Sequence, residues 1–289
     1  MKKPVFTGVC TALVTPFLNG CVNFPMVQQL LRRQTEAGVN AIVLSGTTGE
    51  APTLTDDEKI QLIECAKDYA GDRCTIIAGT GCNDTSHAVE LSQAAQEAGA
   101  DALLVVSPYY NKGNAEGLFA HYMSIAHSVT IPIILYNVPG RTGMDIPISV
   151  YKRLHALPNI AGVKEAGTDI TKCARIQAAC GEDFYIWSGN DDRIVPIMAL
   201  GGKGVISVLS NVCPVETVAM TQAALAGDFD TAAALQCQLM ELIDLLFSEV
   251  NPIPVKYAMS RVGYECGSCR LPLAQLSTQN KQRIDHYFQ

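Results

Sequence analysis

The chain has 289 residues, of which 48% are hydrophobic and 17% charged. That length can bury one large core, and that composition excludes disorder. The formal net charge is -7 and basic residues form no run, so neither nucleic acid nor an anionic membrane surface is expected as a partner.

No apolar stretch reaches the length of a membrane helix. The opening MKKPVFTGVCTALVTPF has two lysines before an apolar region, but Pro4, Thr7, Thr11 and Pro16 interrupt it and no small-residue cleavage site follows. It reads as the first strand of the fold rather than a signal peptide, which places the protein in the cytoplasm. Eleven cysteines, an odd number without framework spacing, agree with a reducing compartment. Cys266 and Cys269 form a lone CxxC. A redox pair or half a zinc site would need a following helix start or a second pair, whereas a loop needs nothing further.

Strand-like and helix-like segments alternate along the chain. The expected strands are 8–15, 40–45, 74–79, 101–107, 131–137, 159–164, 183–189 and 204–208. They show little polar alternation, as parallel strands buried on both faces do. Helical patterns such as 25–38 and 85–99 lie between them, starting near Pro, Thr, Ser or Asp and stopping at Gly. About eight such units precede residue 227, the number a (β/α)8 TIM barrel needs. An open doubly wound sheet would usually carry a Gly-rich turn after its first strand, and TPFLNG is not one. Residues 228–289 hold a long amphipathic pattern over 228–249 and no strand. The expected organisation is therefore a barrel over 1–227 and a small helical C-terminal domain over 228–289.

Chemistry in such a barrel sits where strands pass into the following loops. Those positions carry Thr47 and Thr48, Tyr109 and Tyr110, Tyr136, Arg141, Lys164 and the segment SGNDD. Metal chemistry is poorly supported, since His87, His121, His127, His155 and His286 fall in expected helices or the tail without ligand spacing. His121 and His127 read as helix-surface residues. Asp191 and Asp192 sit at an expected helix start, where capping explains a carboxylate more simply than ligation. Lys164 ends the apolar run IAGVK. Its amine either snorkels to water at the barrel rim or, buried, stays nucleophilic enough to attack a carbonyl and form a Schiff base. Tyr136, one strand over, would exchange protons as the carbinolamine forms and loses water. Thr47 can donate and accept, and so relay a proton between two phenols. The GTTG turn can hold a carboxylate through backbone N–H groups, and Arg141 can pair with another. Tyr109 and Tyr110 alone would also serve as interface aromatics. Together these residues describe a pocket for a keto acid.

GTTGE, SPYYNK, YNVPGRTG, VKEAG, SGNDD and GVISV occur in this order. From about Thr7 to the C-terminal helices, the chain resembles the dihydrodipicolinate synthase / N-acetylneuraminate lyase family of Schiff-base aldolases. The resemblance implies a β/α barrel with a helical C-terminal domain. It also implies that Lys164 forms an imine with pyruvate, that Tyr136, Thr47 and Tyr110 relay protons, and that Thr48 helps hold the pyruvate carboxylate. Gly189 and Ile206 would line the pocket. Tyr110 would reach the site of a neighbouring subunit, implying a dimer or a dimer of dimers. No metal or organic cofactor is implied.

Arg141 stands where the synthase branch of the family binds the carboxylate of aspartate semialdehyde; sialic-acid lyases resemble the pattern at the lysine and tyrosine but lack that arginine. The implied partners are thus pyruvate, aspartate semialdehyde and further copies of the chain. Family members inhibited by lysine use an interface cleft to which Asn83 and Tyr109 correspond. In those proteins a glutamate stands at the position of His87 and a ring at that of Lys59. Without the glutamate an incoming ammonium loses an ion pair, and Lys59 adds repulsion, so the chain is expected to respond weakly or not at all to lysine.

Overall fold

A computed structural model of the chain describes residues 2–289. Eight parallel strands close a barrel: β1 Gly8–Ala12, β2 Ala41–Leu44, β3 Thr75–Gly79, β4 Ala102–Val106, β5 Ile133–Asn137, β6 Ile160–Glu165, β7 Tyr185–Ser188 and β8 Gly204–Ser207. Each strand pairs with its sequence neighbours, and β8 closes onto β1. The fold is the expected TIM barrel with C-terminal helices. One difference lies after β1, which stops at Ala12 rather than Thr15, before a small hairpin of Phe17–Leu18 with Cys21–Val22. Its turn is Asn19-Gly20, both at positive φ, a hairpin signature that is legible in the sequence.

Every strand is covered on both faces, which is why the segments are apolar throughout. Ile42, Leu103, Leu135, Val163 and Val205 face the helix layer. Cys10, Ala41, Val43, Ala102, Tyr136, Trp187 and Ile206 fill the barrel, small side chains on one side offsetting large rings on the other. At the end opposite the candidate residues, Phe6 stacks on Trp187 with ring centroids 5.1 Å apart. There too the Lys2 ammonium donates to the carbonyls of His155, Leu157 and Ile160 at 2.6, 2.7 and 2.9 Å.

The helices begin where their caps dictate. Thr55 and Glu58 form a reciprocal capping box, and Asp84, Asn114, Asp228 and Ser277 accept from first-turn N–H groups. Helix Ala115–Ser128 corrects one expectation. His127 is exposed, but His121 is buried at 4% exposure, because Leu118, His121, Tyr122 and Ile125 share the inner face. Its Nδ1 lies 2.9 Å from Thr85 Oγ1, and burial lowers its pKa to about 4.

The C-terminal helices Phe229–Leu246, Ile253–Arg261 and Thr278–Tyr287 pack against each other, the first also against Pro214–Leu225. Gly227 at φ 82° turns the chain between that pair. Helix Ile253–Arg261 inserts Lys256 beneath the loop after β2. Its ammonium lies 2.8 Å from Glu50 Oε1, with the two side chains 2% and 1% exposed. It also donates to the carbonyls of Thr15 and Ser268 at 3.0 and 3.2 Å. The other oxygen of Glu50 accepts from the Arg270 N–H at 2.8 Å, and the Arg270 guanidinium grips Glu58 at 2.6 and 2.7 Å. Cys266 and Cys269 lie in this segment as free thiols, their pKa values raised by burial to about 12.

The buried ion pair and the buried neutral imidazole can each be tested. Lys256→Ala leaves Glu50 buried without a counter-charge and should cost about 3 to 5 kcal/mol, read as a lower urea midpoint at unchanged slope; an unmoved midpoint would show the pair to be idle. His121 has a folded pKa of about 4 against 6.5 in the unfolded chain, so as pH falls the unfolded state takes up the proton first. The associated stability is intact above about pH 6.5 and is lost toward pH 4, on the order of 3 kcal/mol. Urea midpoints at pH 7 and pH 5 should therefore fall less in His121→Gln than in the unaltered chain.

Candidate active site

The placement of Lys164 depends on an irregularity in β6. Between β5 and β6 the register runs Ile133 to Ile160 and then Ile134 to Gly162, skipping Ala161. Ile160 and Val163 therefore both face the helix layer although three residues apart, and Tyr136 comes level with Lys164. An unbroken register would have put Val163 beside Tyr136 and turned Lys164 out of the barrel. Glycine is needed at 162 because a Cβ there would collide with the carbonyl of Tyr185.

Lys164 is 5% exposed, so the snorkelling alternative does not hold. Its Nζ lies 4.4 Å from the centre of the Tyr136 ring, and Trp187 is its registered neighbour on β7. Gly189 follows β7, its N–H donating to the Glu165 carbonyl at 2.7 Å; a Cβ at that position would lie 2.6 Å from the Ala166 methyl. Ile206 is fully buried in the barrel interior.

The loop after β2 is a closed turn. The Glu50 N–H donates to Thr47 O at 3.1 Å, Ala51 N–H to Gly46 O at 3.2 Å, and the Thr15 hydroxyl to Gly49 O at 2.7 Å. Ser45 and Glu50 adopt positive φ at its two ends. A cavity of about 640 Å³ opens beside this turn, lined by Thr47, Tyr136 and Arg141 at the strand ends and by Lys59, Asn83, His87 and Tyr109 further out. Lys164, Gly189 and Ile206 do not line it; Lys164 is joined to it through the ring of Tyr136, which does. Thr48 is buried, its Oγ1 accepting from Asn251 Nδ2 at 3.0 Å. Arg141 donates to the Asn251 carbonyl at 3.3 Å. Tyr110 is 92% exposed at φ 68° and does not line the cavity.

Two buried acidic residues brace the strand ends. Glu165 ends β6, and accepts from Asn137 Nδ2 at 2.8 and 3.0 Å and from the Gly167 N–H at 2.7 Å. Burial raises its pKa against the opposing pull of Lys172, which lies 3.8 Å away and also contacts Asp145. Asp191 does not cap its own helix. It is buried, and its Oδ2 accepts from the N–H groups of Val208 and Leu209 at 3.0 and 2.9 Å, closing the end of β8. Burial raises its pKa too, whereas Asp192 is exposed beside Arg193.

In the outer part of the cavity, Asp56 joins residues that the motifs left apart. Its carboxylate lies 2.9 Å from Lys59 Nζ and 2.7 Å from His87 Nε2. Partial burial opposes its charge, but these two hydrogen bonds outweigh that and lower its pKa. Asn83 accepts from Asn111 through its carbonyl at 2.9 Å, and burial raises the pKa of the Tyr109 phenol. Among the described residues, no three His, Cys, Asp or Glu side chains converge as metal ligands would, and no helix is long and apolar enough to cross a membrane.

The family model described as the dihydrodipicolinate synthetase family matches residues 5–289. A 4-hydroxy-tetrahydrodipicolinate synthase of Acetivibrio thermocellus is 45% identical over 291 residues, covering 99% of each chain. Among solved structures, the chloride-inhibited dihydrodipicolinate synthase of Acinetobacter baumannii complexed with pyruvate is 41% identical with a TM-score of 0.95, covering 97% of each chain. The dihydrodipicolinate synthase of Cyanidioschyzon merolae with lysine bound is 38% identical with a TM-score of 0.95, covering 98% of this chain and 97% of that one. With its barrel, its motif order and its near full-length relatives in agreement, the chain belongs to the dihydrodipicolinate synthetase family.

Proposed function

We propose that the chain acts as a 4-hydroxy-tetrahydrodipicolinate synthase in lysine and diaminopimelate biosynthesis, condensing pyruvate with L-aspartate 4-semialdehyde through an imine on Lys164. The observation that carries this is the buried Lys164 amine level with Tyr136 in the barrel, beside the cavity that Thr47 and Arg141 line. The Lys164 nitrogen attacks the keto carbon of pyruvate, and the carbinolamine loses its hydroxyl as water, with protons passed by Tyr136 and Thr47. The protonated imine withdraws electrons, a methyl proton leaves, and the enamine carbon bonds to the aldehyde carbon. The amine of the second substrate then adds to the imine carbon and expels Lys164 as the ring closes.

Thr48 and the GTTG backbone hold the pyruvate carboxylate, Arg141 holds that of the semialdehyde, and Gly189 and Ile206 shape the wall beside the imine. Tyr110 points into solvent in the single chain, which supports its serving the site of a second copy in a dimer or dimer of dimers. Eleven cysteines, all free thiols, support a cytoplasmic location. Borohydride added with pyruvate should leave a reduced adduct on the Lys164 peptide and none in Lys164→Ala, as read by peptide mass analysis. An unmodified Lys164 would overturn the reading. Turnover with aspartate semialdehyde, set against cleavage of sialic acid and keto-deoxy sugar acids, separates the synthase from lyases of the same fold.

Regulation by lysine is proposed to be weak or absent. The Asp56 carboxylate in the outer cavity is already engaged by Lys59 and His87, so an incoming ammonium must displace a tethered one. Initial rates should change little in millimolar lysine; strong inhibition of the purified protein would refute this.

A further inference from the structure

We propose that Asn251 is a positioning residue for the keto-acid carboxylate, acting by fixing the direction in which the Thr48 hydroxyl donates. The inference rests on the reading of Thr48 as a carboxylate-binding group given above. Asn251 lies in the C-terminal region, more than 200 residues from Thr48, and no motif singles it out. Both side chains are buried.

A threonine hydroxyl has one hydrogen and two acceptor sites. Asn251 Nδ2 donates to Thr48 Oγ1 at 3.0 Å, so one acceptor site is filled and the hydroxyl hydrogen must point elsewhere. Among the described residues that hydrogen finds no acceptor, and it is free for a carboxylate oxygen. The opposite amide orientation would let Thr48 donate to Asn251 and would bury the two amide hydrogens where Oδ1 now has no partner.

The surroundings make this a firm support. The carbonyl of the same residue accepts from Arg141 at 3.3 Å, so groups assigned to both substrates meet at Asn251. Nearby along the chain, Lys256 pairs with Glu50, two residues beyond Thr48. Two cross-links thus join the same pair of segments, one ionic and one directional.

The aspartate variant separates positioning from packing. In Asn251→Asp the new carboxylate can only accept, so it captures the Thr48 hydrogen and places a negative charge beside the substrate carboxylate. The KM for pyruvate should rise about 10- to 100-fold, the scale of one hydrogen bond to a charged group. In Asn251→Ala the hydroxyl can still turn to donate, and the rise should stay below about 10-fold. In both variants the KM for aspartate semialdehyde should change less, because Arg141 keeps its backbone carbonyl partner. Borohydride trapping at low pyruvate should slow in the same order. Equal effects of Asp and Ala, or a fall in kcat at unchanged pyruvate KM, would overturn the proposal. If Asn251→Asp does not fold by circular dichroism, Thr48→Val and Asn251→Ala decide: the double variant should match Thr48→Val alone, and additive effects would refute the coupling. Absence of any Lys164 adduct in the unaltered chain would instead remove the underlying assignment, so the two failures are distinguishable.

Discussion

One extra residue in β6 determines what the barrel presents at its active end. Side chains alternate along a strand with a period of two, so a single-residue slip exchanges the inner and outer sets. The shift at Ala161 and Gly162 turns the second half of β6 over relative to the first. The apolar requirement of the helix layer is met by Ile160 before the shift and Val163 after it. Lys164 then falls on the inside, in the same row as Tyr136 and Trp187. The bulge depends on a glycine that allows the backbone of β7 to approach, so the reactive geometry is set several residues upstream of the reactive group.

The second constraint comes from the far end of the chain. Helix Ile253–Arg261 adds no strand and lines none of the main cavity, yet its Lys256 neutralises Glu50 in the loop that follows β2. A buried ion pair is a poor source of net stability, because desolvating both charges offsets most of their attraction. Its value lies in direction: the ammonium is satisfied in one place only, among Glu50 and the carbonyls of Thr15 and Ser268. The loop carrying Thr47 and Thr48 is thereby held against the C-terminal segment rather than left to its own short turn.

The features legible in the sequence are those with a local signature. Apolar runs bounded by Gly, Pro and Asn marked all eight strands, and cap residues marked the helices, because both depend on neighbours close along the chain. Tyr136, Arg141 and Lys164 were readable because strand ends in a barrel face one mouth. His121 is polar, yet its spacing with Leu118, Tyr122 and Ile125 places it on the inner face of its helix, where period outweighs polarity. The partners of Glu165 and Asp191 are not legible, because Asn137 lies on another strand and the N–H groups of Val208 and Leu209 follow one, far along the chain. Asn251 and Lys256 carry no local signal, since their bonds to Thr48 and Glu50 span more than 200 residues.

Trp187 has a consequence beyond packing. It is the one tryptophan of the chain, fully buried, with its indole N–H donating to the Phe6 carbonyl at 3.2 Å. It is also the registered neighbour of Lys164. Its ring, however, is turned to the closed end of the barrel, where it stacks on Phe6 with centroids 5.1 Å apart. Tryptophan emission from each chain therefore reports, with no label attached, whether the floor beneath the row that carries Lys164 is intact.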